Sequence, residues 1–141
     1  MTFALGPDHI SAQLAASITF ADAAAGPSAI DIYTSVQPTL GAAPGDTPQA
    51  IIVLAKPCAT LVAGVLTLNA ASPGGTLLLL TGIPRWARWR RSDDVLVADG
   101  TVTDLASTGD FRVSGGTTDP GESSPTLYAG GLVVLGAVTL T

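Results

Sequence analysis

The sequence predicts an all-β domain, a sandwich, jelly roll or barrel of eight or nine short strands with a single N-terminal helix. Three observations predict it. Short apolar or alternating segments are separated by turns drawn from 16 glycines and 10 prolines. Only one segment carries helical periodicity. No repeat with a period of roughly 20–50 residues is visible, which removes propellers and solenoids. With 141 residues and no internal shift in composition, the chain reads as one domain, 1–141. That length is enough to bury roughly 68–70% of the unfolded surface in one core.

The helix is expected over 7–25, in "GPDHISAQLAASITFADAAAG". Pro7 suits the first turn, where a missing N–H costs no hydrogen bond. Asp8 places negative charge at the positive end of the helix dipole. Ile10, Leu14 and Ile18 form a narrow apolar stripe, and Gly26-Pro27 is expected to stop the helix.

Residues 28–141 then form the sandwich. "AIDIYTSV" alternates, with Ile30 and Ile32 on one face and Asp31, Tyr33 and Ser35 on the other, a half-buried strand. "QPTLGAAPGDTP" reads as a loop, and "QAIIVLAK" as a strand buried on both faces. "LVAGVLTLN", the turn "ASPGG" and the strand "TLLLLTG" follow. "RWARWRR" alternates as a strand. "DVLVA" and "TVTDLA" flank Asp99-Gly100, the strongest two-residue hairpin signal in the chain. "DFRVSG" is a short strand, "GTTDPGESSP" a loop, and "GLVVLGAVTLT" a closing C-terminal strand.

Hydrophobic residues make up 47% of the chain, but charged residues only 12%, about half the usual ~25%. A surface so poor in charge suits a protein that spends its life against a partner. A merely alanine-rich composition gives the same figure, so both readings stay open. Met1 to Ala55 contain no Lys or Arg, so no secretory leader is predicted. The runs "AIIVLA" and "LLLL" fall far short of the ~20 residues that cross a bilayer. A soluble protein made in the cytoplasm, without membrane contact, is expected. Cys58 is the only cysteine, so no intrachain disulfide can form, and a buried structural thiol is expected.

Catalytic chemistry finds few candidates. His9 is the sole histidine and sits in the first helical turn, where a solvated polar residue is the default. One His and one Cys make no clustered zinc or copper set, and no EF-hand spacing occurs. No G-x-S-x-G elbow or GK[ST] phosphate loop is present. The aspartates at 93, 94, 99, 104, 110 and 119 fall mostly at predicted turns, where they cap backbone amides. A carboxylate pair facing across a cleft, as glycoside hydrolysis needs, is not visible. No catalytic residue, cofactor or metal is expected, and the chain is read as a non-enzyme.

The segment "GIPRWARWRRSDD" holds four of the six basic residues and both tryptophans in a chain of net charge -5. As a strand it places Trp86, Arg88 and Arg90 on one face, and Arg85, Ala87, Trp89 and Arg91 on the other. Nucleic-acid faces spread basic residues over a broad patch, whereas here Asp93 and Asp94 follow at once. Tryptophan and arginine are enriched at protein–protein hot spots, so Arg85, Trp86, Arg88, Trp89, Arg90 and Arg91 are the interface candidates. The competing reading is an ordinary strand, its tryptophans packed inward and its arginine stems covering apolar surface.

Taken in order, "AIDIYTSVQP", "GVLTLN", "GIPRWARWRRSDD", "VLVADGTV" and the V-x-L-x C-terminal strand resemble the cement, or decoration, proteins of tailed-bacteriophage heads. The resemblance covers most of residues 8–141 and rests chiefly on Trp86, Arg88 and "GVLTLN". The chain departs from the pattern at Trp89, at Arg90-Arg91 and in the longer "GTTDPGESSP" loop. What the resemblance implies is a jelly-roll β-sandwich of about eight strands with one short N-terminal helix. It also implies a virion protein on the outer surface of the capsid that binds the major capsid protein. It would bind itself as a homo-oligomer, a dimer favoured over a trimer, without direct contact to nucleic acid. The family supplies no catalytic residues. Trp89, Arg90 and Arg91 are expected to meet acidic protein surface, within the chain or on the capsid. Two rival readings are a tail, baseplate or receptor-binding virion component, and a carbohydrate-binding β-sandwich module.

Overall fold

Pro7 opens helix α1 (Pro7–Ala21), preceded by Gly6, which has no side chain to cap it. Leu14 and Ala21 are buried, and Ile10 and Ile18 pack against the core, so the predicted stripe faces inward. The computed structural model describes residues 4–138. The helix ends at Ala21 and not at 25, because the next residues are tied to a strand. The Asp22 Oδ2 accepts the Cys58 backbone N–H at 3.0 Å, and Lys56 Nζ donates to the Ala24 carbonyl at 2.7 Å. A short polar side chain drawn into such a bond competes with further helix.

Eight strands follow: β1 (Ala29–Tyr33), β2 (Ala50–Val62), β3 (Val65–Ala70), β4 (Thr76–Leu77), β5 (Trp86–Arg90), β6 (Leu96–Thr103), β7 (Phe111–Ser114) and β8 (Leu132–Leu135). They form one curled sheet in the order β3-β2-β1-β5-β6-β7-β8-β4. Every pairing is antiparallel except β6 with β7. The fold is thus all-β with one short helix. Gln49, just before β2, draws the two ends of this order together. Its carbonyl accepts the Leu79 N–H at 2.8 Å, and its Nε2 donates to the carbonyls of Leu80 (3.2 Å) and Gly82 (2.9 Å).

Register lays the core across the sheet in rows. Ile52, Ile30, Trp89 and Ala98 stand side by side, as do Ala50, Ile32, Ala87 and Gly100. Because side chains alternate along a strand, the opposite face carries Asp31, Arg88 and Asp99 in one row and Tyr33, Trp86 and Thr101 in the next.

Several expectations are corrected. All five residues of β1 are buried, where a half-buried strand was expected, because both faces are covered. β2 alternates, with Val53 exposed and its neighbours Ile52 and Leu54 buried, where burial on both faces was expected. β2 also runs on through Pro57 into "TLV", and "LVAGVLTLN" is the hairpin that joins it to β3. Its turn, Ala63-Gly64, has both residues at positive φ (51° and 78°), the twist that joins right-twisted strands tightly. Asp99-Gly100 makes no turn, and β6 runs straight through it. Glycine is needed there for space, since a Cβ would lie 2.7 Å from the Cβ of Asp110. The turn between β5 and β6 falls earlier, with Asp94 at φ 65°. The C-terminal strand stops at Leu135, short of its expected span: 136–138 are not strand, and 139–141 lie outside the described residues.

Candidate interaction surface

β5 is the strand the sequence singled out, and its alternation is as expected. Trp89 points into the core at 1% exposure and donates its Nε1–H to Ser28 Oγ at 3.2 Å. Trp86 lies on the other face yet is 0% exposed. It stacks on Tyr33 with centroids 4.5 Å apart and planes 15° from parallel, and its Nε1–H reaches Ser35 Oγ at 3.4 Å. Burial, with the charge of Asp31 added, holds the Tyr33 hydroxyl above its ordinary pKa.

Each arginine of the segment has a carboxylate partner in its own chain. Arg88 grips Asp99 with two parallel bonds, Nε to Oδ1 at 2.7 Å and Nη2 to Oδ2 at 2.8 Å, and donates also to the Ala42 carbonyl at 2.8 Å. The Asp99 side chain is wholly buried under it. Arg90 Nε donates to Asp31 Oδ2 at 2.6 Å, and its Nη1 reaches Asp94 Oδ1 at 3.4 Å. These carboxylate bonds raise both guanidinium pKa values further, so neither loses its charge in any ordinary solution. Arg91 forks onto Asp93 at 3.1 and 2.8 Å and lies over the Phe20 ring, 5.0 Å from its centroid. Arg85 meets Glu122 at 3.0 Å and is the most exposed of the four.

The expectation that Trp86 and Trp89 form an interface is therefore corrected, since both are buried in their own chain. Arg88, Arg90 and Arg91 are largely enclosed as well, and Arg85 alone of the six presents about half its side chain to solvent. The acidic surface that Arg90 and Arg91 were expected to meet lies within the chain, at Asp31, Asp94 and Asp93. Trp89 does not share it, because its ring belongs to the core.

Exposed apolar side chains lie elsewhere, singly at positions such as Val36, Leu40 and Val62, and side by side along one ribbon. Residues 76–82 run beside 127–133. Thr76 pairs with Val133 and Leu77 with Leu132, Leu78 exchanges bonds with Gly130 and Gly131, and Gly82 pairs with Leu127. Leu78, Leu127 and Val133 point inward, while Leu77 (55%), Leu79 (51%), Tyr128 (63%) and Leu132 (52%) stand exposed. No charged residue occurs from Pro57 to Pro84 or from Ser123 to the end of the chain, so the whole ribbon is uncharged. Sequence reasoning reads the leucines of this ribbon as ordinary strand, although the two charge-free runs are visible in it. Single exposed leucines are common, and a ribbon of them without charge is a candidate interaction surface.

Among the described residues, no group of three or more His, Cys, Asp or Glu is placed to hold a metal ion. His9 is exposed on α1. Cys58 is buried, and desolvation together with Asp22 pushes its thiol up to about 12, which leaves it inert as a nucleophile. No helix among the described residues is long and apolar enough to cross a membrane. Comparison with protein-family models, with characterised proteins and with solved structures returns no match.

Proposed function

We propose that this chain is a structural virion protein that seats on the outside of a phage capsid and cements neighbouring major capsid proteins. The observation that carries the reading is the uncharged ribbon of Leu77, Leu79, Tyr128 and Leu132. Covering these half-exposed side chains contributes about 1 kcal/mol each at the usual value per area of apolar surface removed from water. One such contact is weak. Many copies, each engaging neighbouring subunits at once, raise the effective concentration of every further contact and make a shell hard to rupture.

The resemblance of "GVLTLN" and of the Trp86–Arg88 strand to head cement proteins supports a capsid as the partner, and self-association as a homo-oligomer belongs to the same reading. The paired arginines argue against nucleic acid. A guanidinium already neutralised by aspartate offers little to phosphate, and the net charge of -5 repels it.

A reconstruction of the particle at moderate resolution tests this directly. Density for the chain is expected on the outer shell, with the 76–82 and 127–133 ribbon against capsid protein. Heads lacking the protein are expected to rupture at lower temperature and to lose DNA. Density on the tail, or heads equally heat-resistant and equally full without the protein, would overturn the proposal.

A further inference from the structure

Arg85, Arg88, Arg90 and Arg91 hold carboxylates of their own chain, and Lys56 holds the Ala24 carbonyl, which leaves Arg112. Arg112 is partly exposed on β7, and among the described residues its guanidinium meets no acceptor, carboxylate or aromatic ring. The acids beside it are engaged elsewhere. Asp110 accepts the Thr101 N–H at 2.9 Å and the Thr101 hydroxyl at 3.1 Å. Asp104, which follows the cross-strand partner Thr103, accepts the amides of Ala106 and Ser107 and the Thr118 hydroxyl.

Register puts this arginine on the same face as the exposed leucines. Along β7, Phe111 and Val113 are buried, so Arg112 and Ser114 point to the other side. On β8, Val133 is buried and Leu132 exposed, and Val134 pairs with Ser114. Gly136 donates its N–H to the Arg112 carbonyl, so Arg112 stands opposite Gly136. That position is about 13 Å from Leu132 at the usual rise of a strand. A Cβ at Gly136 would collide with Leu105 Cδ2, so Leu105, itself 53% exposed, takes up that place beside Arg112. The outer face of β4, β8 and β7 is therefore apolar through Leu77, Leu132, Val134 and Leu105, broken by Ser114 and by one unpaired cation.

Arginine at the margin of an apolar surface suits a protein partner, because a guanidinium is weakly hydrated and takes a carboxylate in two parallel bonds. A nucleic-acid backbone needs a broad basic patch, and this face offers one cation in a chain of net charge -5. We infer that the interaction surface extends from Leu77 and Leu132 to Arg112, and that the partner meets Arg112 with an aspartate or glutamate side chain. The inference rests on the proposed capsid role and adds what the capsid protein presents: an apolar strip with a carboxylate farther along it.

Sedimentation of the protein with heads assembled without it, at low and high salt, tests this, with duplex DNA as a second target. Arg112→Gln is expected to weaken binding to heads about tenfold or more, as loss of a charge-assisted bond does. Arg112→Glu should weaken it further, by repulsion. Wild-type binding should fall as salt rises, and that of Arg112→Gln should fall less. Both variants should keep the wild-type urea midpoint, since the side chain gives up no bond to a described residue. Heads that bind Arg112→Gln as well as wild type, or a loss equal at every salt concentration, would overturn the inference and leave the capsid role standing. DNA bound by the wild type and released by Arg112→Gln would assign the cation to phosphate and overturn it too. Heads that bind no wild-type protein would overturn the capsid role and the inference with it.

Discussion

Two regions of one curled sheet solve opposite problems. The outer face of β1, β5 and β6 gathers Arg88, Arg90, Asp31 and Asp99, and satisfies nearly all of that charge within the chain. The ribbon of 76–82 and 127–133 carries no charge at all and leaves Leu77, Leu79, Tyr128 and Leu132 half in water. The charged face is adhesive in composition but closed in structure. The leucine ribbon is bland in composition, yet it leaves a run of adjoining apolar side chains uncovered. Residue type alone therefore does not mark an interface; what remains unpartnered after folding does.

The sharpest way to break the comparison is to remove one side of a closed pair. Arg88→Ala leaves Asp99 buried and uncompensated, and is expected to cost about 3–5 kcal/mol in urea denaturation. Trp89→Ala is expected to cost a similar roughly 3–5 kcal/mol by opening a cavity in the central row. A loss below about 1 kcal/mol for Arg88→Ala would mean that the face is not closed as described.

Alkaline pH probes the core beneath. The folded chain holds the Cys58 proton up to about 12 against an ordinary value of 9.0, so it binds more protons than the unfolded chain between those values. Stability is then intact below pH 9 and declines as pH rises from 9 toward 12, by on the order of 2–4 kcal/mol. Denaturation midpoints in the wild type and in Cys58→Ala check this, since the variant should lose the Cys58 share of the slope. Iodoacetamide should leave the native thiol unmodified at pH 8 and label it in denaturant.

Smaller effects separate the two regions most cleanly. Arg85→Ala breaks a pair that is largely in water, and should cost at most about 1 kcal/mol. Leu77→Ser with Leu132→Ser should change stability by no more than about 0.5 kcal/mol per site and, on the proposed capsid role, abolish binding to capsid in a sedimentation assay. If these two leucines prove as costly to fold stability as Trp89, the ribbon is core and not interface.

Much of the architecture is legible in the sequence because it is local. The two-residue period of 86–90 correctly separates Trp89 from Trp86, and Pro7 correctly opens the helix. Sequence and structure part where a local signal meets a distant partner. Asp99-Gly100 has the composition of a turn, but Arg88 holds Asp99 and Asp110 crowds Gly100, so the strand continues. The helical composition runs on past Asp22, but Cys58 captures that residue from 36 positions away.

What the sequence alone determined is therefore most of the element types and which side chains share a strand face, since backbone sterics and side-chain alternation act between near neighbours. The tertiary structure decided which charges meet. Arg90 and Asp31 lie 59 residues apart, and only the register of β5 on β1 brings them within 2.6 Å. It decided also that the second face of β1 is covered, and that the leucines of 76–82 and 127–133 stand side by side in the open. Pairing between distant strands is set by the packing of the whole sheet, and no short window of sequence contains it.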